Sequence, residues 1–174
     1  TGDVRNLKNI LTGTNGNTMK FLERVNNLPS NATSNVLCEC DPTDTSWLYL
    51  CDPSLAAHRI IYTGGFAKSN NRGSDRMTCV VEFSGSHDEN YMVQQLKLLP
   101  GNLNPLAFNY EPNSYVLQES NTRQLIKEAK EILLTNGISL VGRFAEWEYY
   151  NIDKAIEAAM DASQELLDDQ HSPY

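Results

Sequence analysis

The chain has 174 residues, 40% of them hydrophobic and 21% charged, and a formal net charge of -8. Apolar residues run along its whole length, which suits a packed core and argues against a disordered tail. No run approaches the roughly 18 consecutive apolar residues of a membrane span. The acidity also excludes nucleic-acid binding, which needs a basic footprint, and the densest basic cluster is only Arg72 with Arg76.

Residues 1–34 read as a mostly helical segment. Val4, Leu7, Ile10 and Leu11 share one helical face, a polar run from Gly13 to Asn17 interrupts, and Met19, Phe21, Leu22, Val25 and Leu28 form a second apolar stripe. Strands follow. Val36 to Cys40 and Trp47 to Cys51 flank the turn-forming Asp41-Pro42-Thr43-Asp44, so an antiparallel hairpin is expected there. His58 to Thr63 and the β-branched Met77 to Phe83 make two further strands. Ser86 with Glu89 has capping-box spacing ahead of a helix through Met92, Val93, Leu96 and Leu99. Strands are expected near Leu106 to Tyr110 and Ser114 to Gln118. Asn121 with Gln124 then opens a helix carrying Leu125, Ile126, Ala129, Ile132 and Leu133, capped by Asn136-Gly137. Ile138 to Val141 reads as a short buried strand. A last helix starts near Asn151, with Ile152, Ala155, Ile156, Ala159 and Met160 on one face.

Strands first, then strands mixed with helices, predict an α+β fold: a largely antiparallel β-sheet with packed helices. The expected divisions are a helical segment over 1–34, a sheet portion over 35–118 and a helix-strand-helix segment over 119–174. Cys38-Glu39-Cys40 is spaced C-x-C, without the second ligand pair of a zinc site, so no metal is expected. Buried free thiols in a reducing cytoplasm are the default, which makes the expected location cytoplasmic.

The richest stretch for chemistry is Gly137 to Asp153. A strand running through Gly142-Arg143 and an aromatic loop into a helix start makes an anion site, because first-turn amides and the helix dipole face the ligand. The same pattern also describes a plain connection whose aromatics pack the core. Arg59 and Arg143 are the best anion-binding candidates by charge. No nucleophile-base-acid set can be read from spacing, so no catalytic residue is assigned.

Gly142-Arg143-Phe144, Trp147-Glu148-Tyr149 and Asn151-Ile152-Asp153 resemble the C-terminal signature of flavoproteins of the UDP-galactopyranose mutase and protoporphyrinogen or amine oxidase superfamily. Ser46 to Leu50 followed by His58-Arg59-Ile60 resembles the family's hairpin, and the likeness spans roughly residues 35–160. It implies that Gly142, Arg143, Tyr149, Asn151, Ile152 and Asp153 contact FAD, and that Arg59 and Tyr115 face the substrate. Two positions depart from the family pattern: mutases carry Asp where Asn151 stands, and the family's Tyr-Pro-Ile is here Tyr115-Val116-Leu117.

The G-x-G-x-x-G fingerprint of the FAD-binding half is absent, and the chain opens on Thr1. The resemblance therefore implies an N-terminal dinucleotide-binding domain preceding Thr1 as the partner of this portion. The portion alone would bind FAD weakly and be inactive. The substrate implied is a sugar nucleotide used in surface polysaccharide (LPS) synthesis. The alternative is a non-catalytic α+β binding or interaction module without cofactor.

Overall fold

The computed structural model describes residues 2–11, 16–71 and 73–171. Gly13, Thr14 and Asn15 of the expected polar interruption, and Arg72, lie outside them. The fold is α+β. The chain divides into two compact units, Asn31–Ser114 and Thr1–Ser30 with Tyr115–Tyr174.

The first of these units holds a five-stranded antiparallel sheet: β1 (Ser30–Cys40), β2 (Trp47–Tyr49), β3 (Ala57–Ile61), β4 (Met77–Ser84) and β5 (Asn104–Val116), in the order β2-β3-β4-β1-β5. The hairpin expected between the first two strands does not form. β1 pairs antiparallel with β4, and β2 with β3. Burial explains the order. β1 and β4 are the most buried strands and take central places, whereas Trp47 and Tyr49 of the three-residue β2 are exposed, as suits an edge. The two strands expected near 106–110 and 114–118 are one long strand, β5. It tolerates Pro105 and Pro112 because it is the opposite edge, where a missing N–H need not break the ladder.

Alternation puts Val36, Cys38, Cys40, Cys79, Val81 and Phe83 in one buried cluster with Met92, Leu96 and Leu99 from and just beyond α3 (Glu89–Leu96). The cap of α3 is Asp88, not Ser86. Its carboxylate accepts from Tyr91 N at 2.9 Å, and a carboxylate also complements the positive helix end. Cys38, Cys40 and Cys79 are free and buried, but Cys51 is exposed.

The other unit contains α1 (Leu7–Ile10), α2 (Gly16–Asn26), α4 (Thr122–Leu134) and α5 (Ile152–His171). Val4, Val25 and Leu28 from the start of the chain share a core with Val116, Leu125, Ile126, Ala129, Leu133 and Trp147. At the start of α4, Asn121 makes no side-chain cap. Thr122 Oγ1 accepts from Glu119 N instead, and Gln124 reaches along the helix to Glu128. Gly137, at φ +72°, ends α4, with Ile138 N donating back to Leu133 O at 3.0 Å.

Two expectations fail in this unit. Ile138 to Val141 is not a strand: Ser139, Leu140 and Val141 form no backbone hydrogen bond to another described residue, and a strand needs a neighbour to exist. The apolar face expected to bury α5 is uncovered, since Ile152, Ile156 and Met160 are exposed while Ala155, Ala158 and Ala162 are partly buried.

Candidate functional site

The loop leaving Gly142 is held by a buried carboxylate. Gly142 takes φ +99°, a conformation glycine reaches without Cβ strain, and its N–H donates to Glu146 Oε2 at 2.9 Å. Glu146 Oε1 accepts from Lys130 Nζ at 2.5 Å. Burial and then the neighbouring Glu146 push the Tyr150 phenol above its usual range. Gly142 O in turn accepts from Ala145 N and Glu146 N, closing the loop on itself.

Trp147 then reverses the chain at φ +52°, strained for a bulky residue, and is fully buried. Its burial holds it there. The indole N–H donates to Leu117 O at 3.1 Å, Gln118 Nε2 donates to the Trp147 carbonyl, and Phe144 packs edge-on at 5.9 Å. The Arg5 guanidinium lies 4.8 Å from the Trp147 ring centroid. Neither Glu146 nor Trp147 stood out as a site organiser in the sequence. The available signals were the place of Trp147 in the Trp147-Glu148-Tyr149 run and the spacing of Glu146 four residues after Gly142.

The loop brings three of the expected residues together. Tyr115 and Tyr149 stack at 5.8 Å and 12°, and the Arg143 guanidinium lies 5.1 Å and 4.6 Å from their ring centroids. Tyr149 is exposed. Arg5, Arg24, Arg59, Arg76 and Arg123 each pair with a carboxylate, but Arg143 forms no ion pair among the described residues. Its Nε and Nη2 are buried without a hydrogen-bond partner among the described residues. This is a cation oriented by rings and left uncompensated in a chain of net charge -8.

Beyond it, Asn151, Ile152 and Asp153 lie exposed at the start of α5. Asn151 O accepts from Ala155 N at 3.0 Å, as the residue before a helix does, and the amides of the first turn have no acceptor within the helix.

Arg59 belongs to the sheet unit and is engaged differently. A register shift between Ala57 and Arg59 lets His58 and Arg59 both reach Glu82. Glu82 takes His58 Nε2 at 2.7 Å and Arg59 Nη2 at 2.5 Å, and Arg59 also stacks 4.8 Å from the Trp47 ring centroid. Its charge is therefore balanced within the unit, unlike that of Arg143.

Comparison with known proteins bears on the fold. No family model and no curated protein matches the sequence. Among solved structures, a reduced UDP-galactopyranose mutase shares the fold at TM-score 0.79 and 16% identity, over 96% of this chain and 40% of that one. A protoporphyrinogen oxidase-like protein from Exiguobacterium sp. 255-15 shares it at TM-score 0.61 and 11% identity, over 95% of this chain and again 40% of that one. The chain thus spans well under half the length of these neighbours.

Proposed function

We propose that this chain is the substrate-side, C-terminal portion of a longer flavin-dependent oxidoreductase or mutase, in which the loop from Gly142 to Asp153 closes on FAD. The observation that carries the reading is Arg143, a guanidinium held against the stacked rings of Tyr115 and Tyr149, with buried nitrogens that have no hydrogen-bond partner and no counter-charge among the described residues. Burying such a group costs free energy unless something anionic meets it. The residues present fit the cofactor. Gly142 gives the loop the φ of +99° that presents Arg143, Arg143 and the first-turn amides at Ile152 and Asp153 supply positive potential, and exposed Tyr149 and Asn151 supply polar contacts.

FAD, when bound, supplies the redox or nucleophilic chemistry. The side chains here bind and orient. Tyr115 offers a ring and a hydroxyl to the substrate, and Arg59, already steadied by Glu82 and Trp47, is a second substrate contact in this reading. In this reading the sheet portion over 35–118 belongs to a substrate domain, and 119–174 completes a dinucleotide-binding domain supplied by preceding chain. The backbone of Ser139 to Val141, which forms no backbone hydrogen bond to another described residue, supports this, because it can extend a neighbouring sheet. A sugar nucleotide for surface polysaccharide is the substrate class the reading favours.

The test is visible flavin absorbance in the purified full-length protein, followed by FAD titration of Arg143→Gln. The variant is expected to bind FAD about tenfold or more weakly, the worth of a hydrogen bond to a charged group. A colourless protein that takes up no FAD, or a variant of unchanged affinity, would overturn the assignment.

A further inference from the structure

We propose that the outer face of β2 is a binding site for a neutral pyranose sugar ring, seated against Trp47 and Tyr49. Leu48 packs against the core cluster of the sheet unit, so alternation turns Trp47 and Tyr49 to the opposite face. They are 44% and 62% exposed. Charge lies beneath them. Arg59 is the register partner of Tyr49, and Glu82 is that of Arg59. The ion-paired side chains of Arg59 and Glu82 are only 12% and 9% exposed. The Arg59 guanidinium stacks 4.8 Å from the Trp47 ring centroid and steadies that ring. A sheet edge facing water is ordinarily blunted by outward charges. Here the order is inverted: the charges are covered and the rings are left in water.

Geometry and charge narrow the ligand. Arg59 is balanced by Glu82, so the floor of the site calls for no charge on what binds it. The two rings are 6.1 Å apart and tilted by 55°. A planar nucleobase can lie parallel to only one of them. A puckered pyranose carries C–H groups on its faces and its rim, and so meets both. The Trp47 indole N–H adds a donor and the Tyr49 hydroxyl a donor and acceptor for the sugar hydroxyls. Apolar ring faces with a few polar groups are the usual lining of a small-ligand site. All of these residues lie within Asn31–Ser114, so the assignment is independent of the loop from Gly142 to Asp153 and of flavin.

Titration of the protein with methyl galactopyranoside, followed by NMR of its two tryptophan indole N–H groups, tests the site. The Trp47 resonance is expected to shift saturably, with a Kd on the order of 1–10 mM. The Trp147 resonance should stay still, because that indole is fully buried and bonded to Leu117 O. Tyr49→Ala should weaken binding about tenfold or more. Phe66→Ala, at another exposed aromatic, should leave the Kd unchanged. An unmoved Trp147 resonance verifies that each variant is folded, and the titration of the parent decides the matter should Tyr49→Ala not fold. The absence of a saturable Trp47 shift overturns the proposal. So does a Trp47 resonance that responds to uridine and not to the galactoside, a Tyr49→Ala variant of parental affinity, or a shift that follows protein concentration, which would make the face a contact between copies. Flavin absorbance bears on none of these outcomes, so the sugar site and the flavin reading fail separately.

Discussion

Gly64 leaves no room for a side chain. A Cβ there would lie 2.0 Å from Asn71 Oδ1, 2.5 Å from Met77 Cγ and 2.6 Å from the backbone N of Thr78. Asn71 cannot easily give way, because its Oδ1 accepts from Thr78 N and its Nδ2 donates to Gly64 O. Gly64→Ala is therefore expected to destabilise the protein by about 1–3 kcal/mol in urea unfolding. Gly65→Ala, with nothing within 4 Å of its Cβ, should change stability by about 0.5 kcal/mol or less. Equal losses at both positions would show that the packing around Gly64 relaxes. Individual residues were unevenly legible. Alternation along a strand was enough to put Cys38 and Cys40 on one side, and both are fully buried. The roles of Glu146 and Trp147 were hidden, because they depend on a loop closing on itself and on contacts to Lys130 and Leu117, which no local period encodes.

Elements were read best where burial is one-sided and periodic. α3 and α4 lie where their patterns place them, because each buries one face against partners inside its own unit, and β4 does so as a β-branched run covered on both faces. The expected strand at Ile138 to Val141 is different. Its composition encodes a strand, but pairing is a property of two segments, and no described strand hydrogen-bonds to its backbone. The α5 stripe fails for the same reason: apolar spacing says that a face wants cover, not that the cover is present.

The paired strands β1 and β4 also carry a pH signature. Burial, with Cys79 beside it, pushes the Cys40 thiol from 9.0 to about 12, and the Cys79 thiol is pushed up by a hydrogen bond with Cys38 and by burial. A raised folded-state value means that the unfolded chain releases its protons first. This contribution is thus complete below pH 9 and lost as pH rises from 9 through about 12. Urea midpoints measured across that window should fall more steeply for the parent than for Cys40→Ala; parallel curves would assign the alkaline loss to other groups.

At the scale of the molecule, the α+β class was legible from the change of period along the chain, and the strand order was not, since β1 passes over its sequence neighbour to pair with β4. The two units also differ in how they are assembled. The sheet unit is one continuous stretch, Asn31–Ser114, with its core cluster drawn entirely from within it. The other is made from both ends of the chain, and Val4, Val25 and Leu28 fill its core beside Trp147. A peptide of residues 115–174 alone should therefore be largely unfolded by circular dichroism, and gain helix when residues 1–30 are added. Full helicity of the shorter peptide would mean that α4 and α5 need no such contribution.

That division has a consequence for the order of synthesis. The first thirty residues of the chain emerge from the ribosome long before their core partners from Tyr115 onward are made. Throughout that interval Val4, Val25 and Leu28 lack Val116, Leu125 and Trp147 from their core, while the sheet can already close once β5 is made. The sheet unit is thus finished while the segment ahead of it still waits for the rest of its core, and it is in that window that a chaperone would find its apolar side chains.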